Sequence, residues 1–384
     1  MKILIIGDGN SIYIRNYIKN IFLSWDREIE IYLCTIRIRN AEYLKFYERN
    51  GIALIYCQVR GSLIQHIPIF KTLINFIYTL NKIQQNRYYD VIHVHFASFI
   101  SCSLAFASRK LAKAEICSFW GSDLLRHRKW HTRLIMPFLD KCSAITLETQ
   151  LMHDLLIART KPNYENKIRK ITFGIEGFEH IDYIIDHEDR NVSRQRLGIP
   201  LDKIVISIGY NGNPNHQHIR VLEQLKQLDD ILLSRIFIIL QMTYGNIDPE
   251  YHSEVKRKAE NMSCQFKIFS DYMSNTDIAR LRCATDIFVH AQTTDSFSSS
   301  FQEYIYASAI VLNAKWIKYK ELESVGIKYI EYNSFDEIPF LIKDILVNID
   351  RYRLEYSNNK QILKSFFSVS AVEKKWRGIY ENLA

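Results

Sequence analysis

Short β-branched runs separated by longer amphipathic stretches recur down the whole chain, and this alternation restricts the fold more than any other feature. In the first half the runs are Ile3–Ile6, Ile29–Ile36, Ala53–Val59, Val91–Phe96, Ile116–Trp120 and Ala144–Leu147. In the second half they are Ile204–Ile208, Ile236–Met242, Gln265–Phe269, Ile287–His290 and Ile310–Leu312. Strands that alternate with helical stretches are joined by crossovers, and crossovers build parallel sheets. The number of runs is enough for two sheets, and 384 residues favour two domains over one core. The expected class is therefore α/β, with two Rossmann-like, doubly wound parallel-sheet domains. The stretch from Gly174 to Pro200 is acidic, is broken by Gly-Ile-Glu-Gly and Gly-Ile-Pro, and lacks sustained periodicity, so it reads as a linker. This sets domains over 1–173 and 201–365, with a helix over 366–384 packing back towards the first. In open parallel sheets ligands bind beyond the C-terminal strand ends, so two facing sheets place the expected site in a central cleft.

The strand ends carry the chemistry. Asp295-Ser-Phe-Ser-Ser-Ser-Phe-Gln-Glu303 follows the run Asp286–His290 and sets two acids eight positions apart around a hydroxyl-rich loop. A strand, a polar loop and then a helix put Ser298, Ser299 and Ser300 at a helix N-terminus, where unpaired N–H groups and the positive dipole end suit a phosphate. Glu303 falls one turn further on, at roughly 3.6 residues per turn, within reach of a ribose. Asp295 then faces whatever the phosphate carries. An ordinary strand-to-helix connection with a solvated Asp is the competing reading of this segment. Ser207-Ile-Gly-Tyr-Asn-Gly-Asn-Pro214 ends another strand, and Gly209, Asn211 and Gly212 form a turn open to an anion. A helix is expected after it, from about Asn215 through Leu228. Thr243, Tyr244 and Gly245 end the next strand in the same manner.

In the first half, Gly7-Asp-Gly-Asn-Ser11 lacks the third glycine of a dinucleotide fingerprint, since position 12 is Ile. His93-Val-His-Phe-Ala-Ser98 and Ser118-Phe-Trp-Gly-Ser-Asp123 end two further strands. Gly121 permits close backbone approach, and Asp123 is the first candidate for a general base, with Asp8 second. Asn10, His95 and Trp120 stand at the same strand ends.

Charge is uneven. Residues 1–170 hold 25 Lys and Arg against 13 Asp and Glu, a balance of +12, whereas residues 171–384 hold 25 against 29, a balance of −4. Such asymmetry points the first half at an anionic partner. The densest cluster, residues 126–133, combines Arg126, Arg128 and Lys129 with Trp130, a mixture suited to a lipid headgroup boundary. No nucleic-acid-binding motif appears. Leu63 to Ile83 carries apolar residues at helical spacing and is expected to cover the first sheet, with contact to a lipid as the alternative. No stretch approaches the roughly 18 apolar residues of a membrane span. The N-terminus runs straight into a strand pattern rather than a signal peptide. The seven cysteines form no Cys-x-x-Cys pair, unlike a structural zinc site or a secreted disulfide scaffold. The expectation is a cytoplasmic protein peripheral to the membrane.

Together these residues resemble the GT-B glycosyltransferases. Asp295 and Glu303 are similar to the acid-x7-acid signature of the retaining members, in which the first acid contacts the donor sugar and the second holds the nucleotide ribose. Ser118–Asp123 resembles their Thr-x-His-Gly-x-Asp loop, with Trp120 in the place of the His, and Phe173-Gly-Ile-Glu176 stands where they have Asn-Gly-Val-Asp. Gly209–His218 and Leu240–Gly245 are similar to the bacterial 4-acetamido-fucose transferases. The likeness spans most of the chain and is most specific over 204–325. The chain departs from it in lacking the Arg and Lys that grip the diphosphate, with no Lys there until Lys226, and in having Ser308 and Ile310 for the usual Gly and Pro.

The resemblance implies a retaining hexosyl- or deoxyhexosyltransferase that needs no cofactor; the lack of an Asp-x-Asp motif implies no bridging metal. Its donor would be a nucleoside diphosphate sugar. Its acceptor would be a lipid-linked saccharide of bacterial surface polysaccharide synthesis (O-antigen, capsule or lipopolysaccharide), met at the anionic inner face of the cytoplasmic membrane. Asp123 would act as base only if the configuration inverts. A sugar-nucleotide epimerase of the same architecture and a non-catalytic membrane-surface protein are the alternatives, and the oligomeric state stays open.

Overall fold

The computed structural model describes residues 1–57, 68–85, 88–160, 162–244 and 248–383. It divides into two compact units, Met1–Gly174 with Val369–Ala384, and Ile175–Ser368.

The first unit is built on a seven-stranded sheet in the order β3-β2-β1-β4-β5-β6-β7. Its strands are β1 (Lys2–Ile6), β2 (Glu30–Thr35), β3 (Ala53–Tyr56), β4 (Tyr89–His95), β5 (Ala112–Ser118), β6 (Ala144–Leu147) and β7 (Ile168–Lys170). All its neighbours pair in parallel. Successive residues of β1 serve opposite faces: Leu4 and Ile6 join one buried cluster, Ile3 and Ile5 the other. Both faces are covered, which is why the central strand β1 is apolar from Ile3 to Ile6. The C-terminal helix Val369–Leu383 closes one face by burying Trp376 and Tyr380 against Ile3, Ile5 and Val91. Trp376 Nε1 donates to the Thr172 carbonyl at 2.8 Å. The Tyr380 hydroxyl lies 3.0 Å from that of Tyr17 and 2.5 Å from His93 Nδ1, and His93 Nε2 lies 2.6 Å from Ser118 Oγ.

The second unit carries a six-stranded parallel sheet in the order β10-β9-β8-β11-β12-β13. Its strands are β8 (Ile204–Ile208), β9 (Ile236–Gln241), β10 (Gln265–Phe269), β11 (Ile287–His290), β12 (Ile310–Ala314) and β13 (Ile330–Tyr332). Phe288 faces one cluster while Ile287 and Val289 face another, so this sheet too is buried on both sides. The two doubly wound parallel sheets match the expected fold class.

Three details differ from the sequence reading. Residues 174–200 are not a bare linker, because two helices, Gly177–His187 and Arg190–Leu197, occupy most of that stretch in the second unit. Asp189 caps the second helix by accepting from Val192 N–H at 2.8 Å, and Gly198 ends it in the left-handed conformation. These helices are held from far along the chain. Buried Asp286 accepts from Arg190 at 2.7 Å, Arg194 at 2.5 Å, Arg353 at 2.6 Å and the Val205 N–H at 2.9 Å. The helix expected over 215–228 is instead a 3₁₀ turn, Pro214–His216, and a helix, His218–Leu225, because Gln217 sits between them at φ +54°. Finally, β7 and β13 were not anticipated; three residues are too few to show a period. The helix within 63–83 is described from Pro68 to Gln85, and its expected start, like Val59, lies outside the described residues.

Candidate functional site

Strand order reverses at one place in each sheet, between β8 and β11 in the second unit and between β1 and β4 in the first. Beyond the C-terminal ends of such strands the connecting loops splay to opposite faces and leave a crevice. In the second unit the loops at that point carry Gly209 and Asp295; in the first, Asp8 lies on the loop after β1 and His95 is the last residue of β4.

The second unit brings together most of its expected residues. Ser298 caps the helix Ser299–Tyr306, its Oγ accepting from Phe301 N–H at 3.1 Å, so the first-turn N–H groups of Ser299 and Ser300 are left without intrahelical partners. Asp295 is held in place: the Tyr319 hydroxyl donates to Oδ2 at 2.7 Å, the Ser296 N–H donates to Oδ1 at 2.7 Å, and His290 Nε2 stands 3.5 Å from Oδ2. Glu303 is half-buried, and its Oε2 accepts from Arg282 Nε at 3.2 Å. Its other oxygen lies against Gly177, where an added Cβ would come within 2.2 Å of it. A carboxylate has about four lone-pair sites, so Glu303 keeps acceptor capacity for a ribose.

Gly209 takes φ +64°, and a Cβ there would meet His218 Nε2 at 2.6 Å, so the turn after β8 requires glycine. Two neighbours in this turn do not serve as expected. The Gly212 N–H, expected to be open to an anion, donates to the Tyr244 carbonyl at 2.8 Å. Asn211 Oδ1 accepts from the Asn213 N–H at 2.9 Å within its own turn. Thr243 is half-buried and Tyr244 exposed; Gly245 lies outside the described residues.

Several polar residues at this site were not anticipated. Arg282 is 1% exposed, stacks over Tyr304 at 4.2 Å, donates to Gln241 Oε1 at 2.8 Å and reaches Ser300 Oγ at 3.4 Å. The only sign of it in the sequence is a cation beside Leu281 on the buried side of the helix Asn275–Ala284. His216 and His218 are fully buried beneath Gly209, and burial pulls their imidazoles down to about 2 and about 3, so both are neutral. Among the described residues, His216 has no hydrogen-bond partner at either ring nitrogen.

In the first unit, Asp123 is buried and its carboxylate links two strand-end loops. Oδ2 accepts from Ala97 N–H at 2.8 Å and Oδ1 from Trp120 N–H at 2.9 Å. Burial pushes the carboxyl up to about 6, against the pull of the backbone N–H groups. A raised carboxyl makes the folded state bind the extra proton, so stability falls as pH rises from about 4 to 6. We expect Asp123→Asn to remove about 3 kcal/mol of that pH dependence. Urea unfolding of both proteins across the window measures it; parallel pH curves would mean that the N–H groups outweigh burial.

Asp8 is exposed, and its Oδ1 accepts from Asn10 N–H at 3.0 Å and Asn10 Nδ2 at 3.1 Å. Asn10 also donates to the Arg37 carbonyl at 3.1 Å and accepts from Arg39 N–H at 2.7 Å, so its side chain braces the loop rather than reaching outward. His95 is buried and held neutral by burial, its pKa lowered to about 3. Its ring centroid lies 5.7 Å from that of Trp120. Among the described residues neither His95 nitrogen nor Trp120 Nε1 has a hydrogen-bond partner. Arg126, Arg128, Lys129 and Trp130 are all exposed, the last three at the start of the helix Lys129–Leu139, with Arg128 as its N-cap residue.

No family model and no curated protein matches the chain. Solved structures do. HepE from Anabaena, in complex with UDP and glucose, is 16% identical, with both chains covered throughout and a TM-score of 0.72. A glycosyltransferase from Rickettsia africae is 14% identical over all of this chain and 98% of its own, with a TM-score of 0.73. WaaG, a glycosyltransferase involved in lipopolysaccharide biosynthesis, is 12% identical over 99% of each chain, with a TM-score of 0.65. The fold is therefore that of the GT-B glycosyltransferases.

Proposed function

We propose that the protein is a glycosyltransferase that moves a sugar from a nucleoside diphosphate sugar to a hydroxyl of a lipid-linked saccharide. The observation that carries this reading is the convergence, where strand order reverses in the second unit, of the Gly209 turn, the Arg282–Glu303 pair, the Ser298-capped helix start and the tethered Asp295. Its support is a fold shared with HepE, whose structures hold UDP and UDP-glucose.

In this reading Glu303 binds the ribose hydroxyls and Arg282 positions it. The Ser299 and Ser300 N–H groups, together with Gly209, Thr243 and Tyr244, surround the diphosphate and stabilise its leaving charge. Asp295 orients the sugar. With retention, the anomeric C–O bond to phosphate breaks, the acceptor oxygen bonds to the anomeric carbon, and the acceptor proton passes to the departing phosphate. Asp123, or Asp8, takes that proton only with inversion. The chain lacks an Asp-x-Asp motif, so the transfer is assigned no bridging metal.

The acceptor side falls to the first unit. Helices Pro68–Gln85, Phe99–Ser108 and Lys129–Leu139 pack side by side. They expose Leu73, Ile77, Phe99, Ile100, Trp130 and Leu134, with Arg126, Arg128 and Lys129 alongside. Apolar side chains bordered by cations suit the anionic inner membrane surface. Among the described residues no helix is long and apolar enough to cross a membrane.

A thermal-shift panel of UDP, GDP, TDP and their sugars tests the donor. A ligand at about 100 times its Kd adds about 2.7 kcal/mol, a rise of several degrees; a melting point that no member moves would sink the assignment. With the donor known, Glu303→Ala is expected to raise its KM about tenfold or more, whereas Asp295→Ala mainly lowers kcat. Steady-state transfer kinetics separate the two.

A further inference from the structure

Beyond the C-terminal ends of β8, β11, β12 and β13 the second unit has a cavity of about 420 Å³ that none of the roles above uses. Its size falls within the roughly 300–1,000 Å³ of small-molecule sites. One wall is the ring of Trp316, which is 41% exposed although the ring is fixed. Trp316 Nε1 donates to the Gln292 carbonyl at 2.8 Å, Tyr332 meets the ring edge-on at 5.7 Å, and Phe335 lies 5.6 Å away. An aromatic face thus stands open with its orientation set in advance, so a ligand need not immobilise it.

Planar polar groups surround that face. Arg220 lies over Phe335 at 3.9 Å and donates to Gln217 Oε1 at 3.0 Å, which leaves further N–H donors on its fork. Asp336 and Glu223 share the lining, and Glu223 is paired with Lys258. One cation against two acids, one of them neutralised, leaves no net positive charge for a phosphate to seek. A flat apolar ring bordered by guanidinium, carboxylate and amide groups is instead matched to a sugar. The C–H face of a pyranose stacks on the indole while its hydroxyls meet the fork of Arg220 and the Asp336 carboxylate.

We propose that this cavity is a second carbohydrate site, holding one neutral sugar ring of a saccharide against Trp316. It is separate from the donor sugar: Thr293 faces the cavity, while Asp295 on the same loop is turned to Tyr319 and His290. The site stands on its own geometry and does not require the donor reading to hold.

Saturation-transfer NMR on the full chain tests it, with the methyl glycosides of glucose, galactose, mannose, N-acetylglucosamine and fucose and their disaccharides as probes. At least one probe is expected to bind in the millimolar range, with signal from its ring C–H protons. Trp316→Ala should abolish that signal in a protein that still unfolds cooperatively, Trp316→Phe should retain part of it, and Asp295→Asn should leave it intact. Gln224→Trp fills the cavity from the surface of the helix His218–Leu225 and should also abolish it, which keeps the test decisive if Trp316→Ala does not fold. Silence from every probe, or a signal that survives both Trp316→Ala and Gln224→Trp, would overturn the proposal.

Discussion

Asp286→Ala is expected to destabilise the Ile175–Ser368 unit by about 3–5 kcal/mol, because it strands buried charge. Asp286 is 3% exposed and accepts from three arginines and one backbone N–H. Arg194, at 5% exposure, has no other carboxylate partner among the described residues, so it would remain as an uncompensated buried cation. Arg190 and Arg353 are more exposed and can turn to water. Calorimetry of the full chain should show the transition of this unit lowered by roughly 10 °C. Asp286→Asn keeps acceptor oxygen for part of the network and should fall by less. A loss under about 1 kcal/mol, the worth of an exposed ion pair, would mean that Arg194 finds water.

Arg282→Met is expected to cost about 3 kcal/mol and to remove the nucleotide-induced rise in melting temperature. The guanidinium is the partner of Glu303 Oε2 and of Gln241 Oε1, and methionine fills the space while satisfying neither. Glu303, no longer held, would swing from the position in which it is proposed to meet the ribose. Arg282→Lys restores charge without the planar fork, so stability should recover further than nucleotide binding does. Nucleotide binding undiminished in Arg282→Met would show that Glu303 needs no such support.

The strands were legible because a parallel strand covered on both faces leaves an unbroken apolar run, as Ile236–Gln241 does with every residue buried. The helices over 177–197 were not. The second of them faces inward with Ser193 and Arg194, and the acid that makes Arg194 tolerable lies 92 residues away. The candidate site divides along the same line. The order of strand, hydroxyl-rich loop and helix placed Ser298 at a cap and Glu303 one turn beyond it, since local sequence governs both. What holds the two acids was hidden, because Tyr319 and Arg282 are 24 and 21 residues from their partners and only the tertiary fold joins them. Gly212 shows the opposite limit: a glycine-rich turn reads as open to an anion, yet where its N–H points depends on the Tyr244 carbonyl of the next strand's loop.

The helix Val369–Leu383 has a consequence for how the chain comes to be folded. Its Trp376 and Tyr380 complete a core begun by Ile3 and Ile5, so the first unit draws on segments to either side of residues 175–368, and the second is inserted within it. A ribosome releases residues in order, and domains made early ordinarily fold early. Here the unit that starts first finishes last: residues 175–368 have all been made while the opening sheet still lacks its closing helix. Until then the side of β1 and β4 that carries Ile3, Ile5 and Val91 is covered only in part, by Ile14, Tyr17, Ile18 and Ile21, and a nascent chain that stops short of residue 369 would present the remaining apolar surface to chaperones and proteases.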